Sequence, residues 1–349
     1  SGLADLELYE DLIKKYPDTI VSNSNIIPEL KKRKPGLYFT PGEKFLYCNN
    51  EYSLLAMIVE KISGMSFGDY LQKNIFQPAG MRDTFLETSF NKKIQPDPPA
   101  VKMHIKKHPF YDSLYTTVDS IHQYKYTHIN CSGLTGQGNV ISTVTDLQLF
   151  DKAWFAGKLL SQVSMQEALS PMKLNNGEVF ISKHMDTIEG EGTMSYGLGW
   201  EIFDQPTHGR SVGHGGFKFG LATFYIHHLA KRQTLIAFDN APNSEFGRIL
   251  TSAQSLLSGE QPLPLRNKHS VVSLYGSTLV KSGIDEAIVL LNTHKDDTAG
   301  HYLSEWEMNN LGYDLFYNSS FTGHKILALE VFKVATLLFP DSFNAYDSY

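Results

Sequence analysis

Two short runs in this chain place groups able to move protons or hold a substrate beside a helix start or a set of glycines. Tyr47-Cys48-Asn49 follows the turn Pro41-Gly42-Glu43-Lys44 and precedes an apolar-periodic stretch from Asn50. A phenol and a carboxamide two residues apart in a loop can point into one cleft. Tyr47 would then shuttle a proton, provided a neighbouring cation lowers its pKa from about 10, and Asn49 would position a substrate. The same residues also fit a helix cap at Asn49 or Asn50 with a packing tyrosine. The second run, Gly213-His214-Gly215-Gly216, falls between two expected strands, where glycines let the backbone approach a ligand. His214 there suits a substrate carboxylate or a tyrosinate; taken alone, the run reads more simply as a β-turn with an incidental histidine.

Other residues offer less. Two Ser-x-x-Lys strings occur, Ser89 to Lys92 and Ser170 to Lys173, and Pro171 follows Ser170 where a helix should end. His104 and His108 have the i, i+4 spacing of a helical metal pair, but Pro109 and irregular surroundings favour a solvated loop. Cys48 and Cys131 are too few for a disulfide framework and lack metal-ligand spacing. No metal and no cofactor is expected. With 42% apolar residues, 19% charged residues and a formal net charge of -6 free of basic blocks, the chain has globular composition and no nucleic-acid footprint. No apolar run reaches the length of about 18 residues that a membrane span needs.

The elements that must position these groups are readable from periodicity. Leu54, Leu55, Ile58, Val59 and Ile62 have helical spacing before Ser63-Gly64, which predicts a helix buried on one wide face. Ser66 opens a short helix through Tyr70, Leu71, Ile75 and Phe76 that ends at Pro78 and Gly80. Residues 92–135 lack periodicity and suggest a long irregular insertion. From Thr145 a helix runs through Leu147, Phe150, Ala153 and Trp154 to Gly157, and Ser161 opens another that reaches Pro171. Strand patterns over 196–203, 219–226 and 234–238 imply an antiparallel meander. Ser244 should cap a closing helix that ends at Gly259.

Gln261-Pro-Leu-Pro-Leu265 reads as a linker, so the expected domains are 1–260, a linker over 261–267 and a helical tail over 268–349. In the tail, Ala328, Phe332, Ala335 and Pro340 follow the second-helix pattern of a tetratricopeptide-type unit. Fewer than about three such units fit, so the tail must dock on something, and a protein partner is one candidate. Trp306, Leu311, Tyr313 and Phe316 suit a packed core better than a peptide groove.

In this order the pieces resemble the penicillin-recognising serine hydrolases, specifically the class C β-lactamase, D,D-peptidase and esterase branch. Tyr47-Cys48-Asn49 and His214-Gly215-Gly216 match that family's Tyr-x-Asn and Lys/His-x-Gly motifs. Ser1-Gly2-Leu3, Pro41-Gly42, Pro78-Ala79-Gly80-Met81-Arg82-Asp83-Thr84, Ser142-Thr143 with Asp146-Leu147, and Tyr196-Gly197-Leu198-Gly199-Trp200 match further signatures, covering residues 1 to about 258. The resemblance implies an α/β (α+β) fold, an antiparallel sheet flanked by helices plus a helical subdomain, followed by the all-α tail. It implies acyl transfer through a serine ester on a β-lactam, a D-amino-acid peptide or a small ester. Tyr47, Asn49 and His214 would be the catalytic residues and Gly215, Gly216 and Phe217 would line the substrate, with the Phe217 N–H in the oxyanion hole. Family members are exported. The family's Ser-x-x-Lys nucleophile precedes the Ser-Gly-Leu signature, so the expectation is a chain without its nucleophile, inactive alone and short of the first strands of its sheet. The competing expectation is a catalytically inactive relative that works as a binding module.

Overall fold

The structure, a computed structural model, describes residues 2–88, 101–112, 114–118, 121, 130–182, 192–241, 245–264, 268–319 and 321–348. It divides into two units, residues 1–103 with 124–264 and residues 104–123 with 265–349. Ser89 and Ser244 lie outside the described residues.

The first unit begins with a tight turn, Leu6–Tyr9, leading into α1 (Glu10–Lys15), then α2 (Asn23–Arg33) and α3 (Asn49–Ser63). α4 (Phe67–Leu71) is capped by Ser66, whose hydroxyl accepts from the Asp69 N–H at 3.1 Å. A π-helical turn over Gln72–Phe76 and α5 (Gln77–Ala79) follow, closed by Gly80 in the left-handed region. β1 (Phe85–Leu86) precedes β2 (His104–Lys106) and β3 (Tyr115–Thr117), which belong to the second unit, and pairs antiparallel with β4 (Val140–Ile141). Two sequence signatures meet here: the Asp146 carboxylate accepts from the Asp83 N–H at 2.8 Å and the Thr84 hydroxyl at 2.7 Å, and Thr84 also contacts Ser142. α6 (Val144–Phe155) starts on a Thr143 cap and α7 (Gln162–Ala168) on a Ser161 cap.

Five antiparallel strands follow in sequence order: β5 (Thr193–Tyr196), β6 (Glu201–Gln205), β7 (Gly209–Lys218), β8 (Leu221–His228) and β9 (Gln233–Asp239). The meander is the expected one, but it contains five strands where three were read. The single strand expected over 196–203 is two strands, because Gly199 at φ +80° turns the chain between Tyr196 and Glu201. Gly213-His214-Gly215-Gly216 is not a turn between strands but the middle of β7. A Cβ on Gly213 would lie 2.1 Å from the Tyr225 carbonyl oxygen, so the glycine serves the close approach of β8. α8 (Phe246–Leu257) closes the unit. Side chains alternate across the sheet. Phe203, Phe224 and Ile226 pack with Leu250 of α8 on one face. Trp200, Ile202, Val212 and Tyr225 face Phe150, Trp154, Phe155 and Ala168 of α6 and α7 on the other.

α3 spans the expected residues, but with a different rotation. Its buried positions are Asn50, Ser53 and Ala56, while Leu55, Ile58 and Ile62 are 54%, 50% and 82% exposed. The cause is polar. Asn50 is buried, donates to the carbonyls of Ala4 (3.1 Å) and Asp5 (2.8 Å), and accepts from the Tyr9 hydroxyl at 2.7 Å. That clamp turns the Asn50 face of the helix inward, and Leu54 and Met57 pack on a cluster of Leu8, Tyr9, Ile13, Val21 and Ile26.

The second unit contains β2 and β3, paired antiparallel, then β10 (His269–Ser270), α9 (Val271–Ser282), α10 (Ile284–His294), β11 (His301–Tyr302), α11 (Glu305–Tyr313), α12 (His324–Leu338) and α13 (Phe343–Ser348). β10 and β11 pair in parallel. One continuous core holds Tyr275, Leu279, Leu291, Met308, Leu311, Ala328, Phe332 and Ala335. Phe110 joins this core, so part of the region read as an irregular insertion is an anchor for the helices. His108 is likewise buried rather than solvated, 3.0 Å from the Asp314 carboxylate and stacked on Tyr111, while His104 lies in a strand. Leu311 is buried as expected, whereas Trp306 is 70% exposed. No described helix is long and apolar enough to cross a membrane.

Candidate active site

Tyr47 is placed by the turn before it. Gly42 adopts φ +81°, and its carbonyl and that of Pro41 accept from the Asn175 backbone N–H (2.8 Å) and side-chain amide (2.9 Å). Phe45 then stacks on Phe180 with ring centroids 4.4 Å apart and leans on Tyr196 at 5.2 Å. These anchors bring Tyr47 edge-on to Tyr196 (6.3 Å) and to 6.1 Å from the His214 ring.

The sheet register supplies the other side. Tyr196 pairs with Glu201 and Glu201 with Gly213, so the end of β5 arrives beside the residue before His214. The Tyr196 hydroxyl lies 2.8 Å from His214 Nε2, and His214 Nδ1 lies 2.6 Å from the Gly215 carbonyl. A carbonyl only accepts, so Nδ1 carries a proton, and in the neutral ring Nε2 accepts from Tyr196. Burial above all, then the neighbouring Tyr52, pushes the Tyr196 phenol far up, which keeps that donor protonated. β6 accompanies β7 only from Gly209 to Gly213, whereas β8 accompanies it from Ser211 to Lys218. Beyond Gly213, the β6-side edge of His214 to Phe217 therefore runs without a strand partner among the described residues. The Phe217 side chain is 72% exposed, 6.4 Å from the Phe219 ring. Lys218 donates to the Asn139 side-chain oxygen, so its ammonium is held by a residue in the left-handed region at φ +67°.

Asn49 takes a different direction. Its amide donates to Asp5 Oδ2 at 2.8 Å, while Asp5 Oδ1 accepts the Asn50 backbone N–H at 3.0 Å. A carboxylate from the start of the chain thus satisfies an orphan donor at the N-terminus of α3 and complements its dipole. Neither Asn49 nor Asn50 caps the helix through its own side chain. The surroundings of Tyr47 also differ from expectation. Burial first, then Tyr52 and the carboxylates of Glu201 and Asp5, push its phenol up, the opposite of the lowering that a proton-shuttling tyrosinate requires. The Ser170 hydroxyl is engaged locally, donating to the Gln166 carbonyl at 2.6 Å just past α7. The sequence reading left out Asp5, Tyr52 and Tyr196 as site residues. Only Tyr196 carried a signal, its place at the head of a glycine-flanked strand signature.

A family model described as Beta-lactamase matches residues 1–247. The chain belongs to this β-lactamase-fold serine hydrolase family. It is 32% identical over 276 residues to penicillin-binding protein 4* of Bacillus subtilis (strain 168), covering 76% of this chain and 57% of that protein. It is 23% identical over 202 residues to a β-lactamase of Escherichia coli (strain K12), covering 58% of this chain and 44% of that one. The chain thus spans about half the length of these curated relatives. Among solved structures, the penicillin binding protein from Bacillus halodurans aligns with TM-score 0.56 at 21% identity over 73% of this chain and 69% of its own. The D-amino acid amidase from Ochrobactrum anthropi SV3, complexed with L-phenylalanine amide, aligns with TM-score 0.54 at 20% identity over 74% and 68%. These structures share the fold.

Proposed function

We propose that the chain carries the larger part of an acyl-serine hydrolase cleft that runs along β7, with Tyr47 and His214 on its proton-handling side and Gly215, Gly216 and Phe217 against the acyl group. The observation that carries this reading is the meeting of Tyr47 and His214, distant in sequence, at 6.1 Å between rings across Tyr196. The open β6-side edge of His214 to Phe217 suits an extended amide that adds itself to the sheet by backbone hydrogen bonds. A D-amino-acid peptide or amide is therefore favoured over a β-lactam or a small ester. The names penicillin-binding protein and D-amino acid amidase among the relatives point the same way.

In this reading a Ser-x-x-Lys segment from outside this chain supplies the serine. Its lysine brings the positive charge that lowers the Tyr47 phenol, and the acyl oxygen is held by the N–H groups of that serine and of Phe217. The engagement of the Asn49 amide by Asp5 favours a second reading, a non-catalytic binding module.

One experiment separates the two. The coding region is read in frame upstream of Ser1, and the chain is tested alone and with any Ser-x-x-Lys segment found there, using a fluorescent penicillin and a fluorophosphonate probe. The chain alone is expected to stay unlabelled and the extended chain to label stoichiometrically. Tyr47→Phe in the extended chain should then slow acylation by about 100-fold or more. Labelling of the chain alone at Ser89 or Ser170 overturns the motif assignment, an unchanged rate in Tyr47→Phe removes that residue from the chemistry, and an upstream start without Ser-x-x-Lys leaves the binding module.

A further inference from the structure

The second unit gathers three metal-competent side chains that no sequence spacing singled out. His294 ends α10, Asp297 sits in the turn that follows, and His301 begins β11. One donor atom from each lies within 4.8 Å of the other two, the one such cluster among the described residues. His301 Nδ1 donates to Asp297 Oδ2 at 2.8 Å, and the His294 and His301 ring centroids are 4.3 Å apart. His269 stands next to them: it pairs with His301 in the β10–β11 register, and its ring lies 5.9 Å from that of His301.

The frame is built from backbone. Asp297 Oδ1 accepts the N–H groups of Ala299 and Gly300, both at 3.1 Å, which fixes the carboxylate. The Asp297 N–H donates to the His294 carbonyl at 3.1 Å, the His301 N–H to the Asp297 carbonyl at 3.0 Å and the His269 N–H to the Gly300 carbonyl at 2.9 Å, so the backbone ties β10 to the loop that carries the other three. His294 and His301 are half-buried, and Asp297 and His269 are exposed, which leaves the side chains room to rotate. His294 also lines an open groove of about 400 Å³ that carries Asp285 and Glu286, an approach path with the charge to attract a cation.

We infer that His294, Asp297 and His301 bind a divalent transition-metal ion of the zinc class, with His269 as the neighbouring fourth donor. The donor set decides the class. Imidazole with carboxylate suits zinc and the ions near it, whereas magnesium and calcium take oxygen shells and copper(I) takes sulfur. Tetrahedral zinc with bonds of about 2.0–2.1 Å sets donor atoms about 3.3 Å apart, so the Asp297–His301 pair opens by about 0.5 Å and the other pairs close by about 1.5 Å at most, within reach of side-chain rotation. A neutral His301 ring that binds the ion through Nδ1 carries its proton on Nε2 instead, the exchange running through solvent, and Asp297 trades the imidazole N–H for the ion. It ties the end of α10 to the β10–β11 pair and braces the second unit.

The test uses the full chain without an affinity tag, stripped with chelator. It is titrated with zinc sulfate by calorimetry and with cobalt chloride by visible absorption. The expected result is one ion per chain with Kd below about 10 µM and the cobalt bands of a four-coordinate site. His294→Gln and His301→Gln should each weaken binding by about tenfold or more, with unchanged circular dichroism, while His104→Gln binds as the parent does. Should a glutamine variant fail to fold, protection of His294 and His301 from diethylpyrocarbonate by zinc in the parent chain, mapped by mass spectrometry, decides in its place. Parent binding weaker than about 10 µM, undiminished binding in the folded variants, or absence of protection leaves an ordinary Asp–His pair and overturns the assignment.

Discussion

Adjacent histidines on β8 meet opposite treatment on the two faces of the sheet. His227 points to the α6 side, where Asp151 Oδ1 accepts from its Nδ1 at 2.8 Å, from the Tyr225 hydroxyl at 2.5 Å and from the Thr234 hydroxyl at 2.9 Å. His228 points to the α8 side, is 2% exposed, and has no hydrogen bond at either ring nitrogen among the described residues. Burial is shared; only the partner differs. The face with a partner is also the face of His214, which pairs across the ladder with Tyr225. The candidate site is thus backed by a satisfied polar network, and the unsatisfied imidazole is kept on the far side of the sheet.

The sharpest way to break this contrast is to remove the shared acceptor. Asp151→Ala strands a phenol, an imidazole and a hydroxyl in a buried setting, and is expected to destabilise the first unit by about 3–5 kcal/mol in urea unfolding. A loss under about 1 kcal/mol would mean that the network relaxes onto water. Burial raises the Asp151 carboxyl, but the hydrogen bonds from His227 and Tyr225 together with the His227 charge outweigh it, so the net shift is downward. A lowered carboxylate contributes stability that is complete above its unfolded value near 3.9 and lost as pH falls through the folded one.

His228 acts in a higher window. Burial first, then its neighbours His208, Lys231 and His227, lowers its pKa from 6.5 to about 4. Between those values the unfolded chain takes up a proton that the folded chain refuses, so stability falls as pH drops from about 6.5 to about 4, by about 3 kcal/mol in all. In His228→Leu the stability–pH curve should be clearly shallower through this range, with the contribution of the likewise lowered His208 and the Asp151 step remaining. If the parent curve is already flat, a hidden partner holds His228 and the contrast between the faces is lost.

How far these arrangements were readable in the sequence depends on the distance over which each is decided. Local signals carried well. Ser161 and Ser66 each cap the helix they announce, the helix read from Thr145 begins just before it on a Thr143 cap, and the antiparallel meander followed from alternation. Periodicity failed where one polar residue outweighed several apolar ones: the Asn50 clamp set the rotation of α3 and left Leu55, Ile58 and Ile62 exposed. Glycines misled in another way, since Gly213 signals the close approach of β8 as well as it signals a turn. In the site, Tyr47 and His214 were legible by type and motif and Tyr196 only as part of a strand signature, but Asp5 was not, because it gains its part only from a contact made across the fold. The same holds for Phe110 and His108, whose partners lie in helices about 200 residues further along.

Tyr275 sharpens the comparison with the smallest effect and the opposite sign. It lies in the core of the second unit, fully buried, and its hydroxyl has no hydrogen-bond partner among the described residues. Like His228 it is a polar group buried without a partner, but a phenol carries no charge at the pH values where the imidazole does. Burial pushes its pKa up to about 12, away from any physiological titration. If the missing partner sets the cost in both places, Tyr275→Phe removes a desolvated hydroxyl without opening a cavity and raises stability by about 1 kcal/mol. The gain should be equal at pH 5 and pH 8, in contrast to the pH-dependent gain of His228→Leu. A loss of about 1 kcal/mol instead would show that an ordered water satisfies the hydroxyl. The second unit would then resemble the Asp151 face rather than the His228 face.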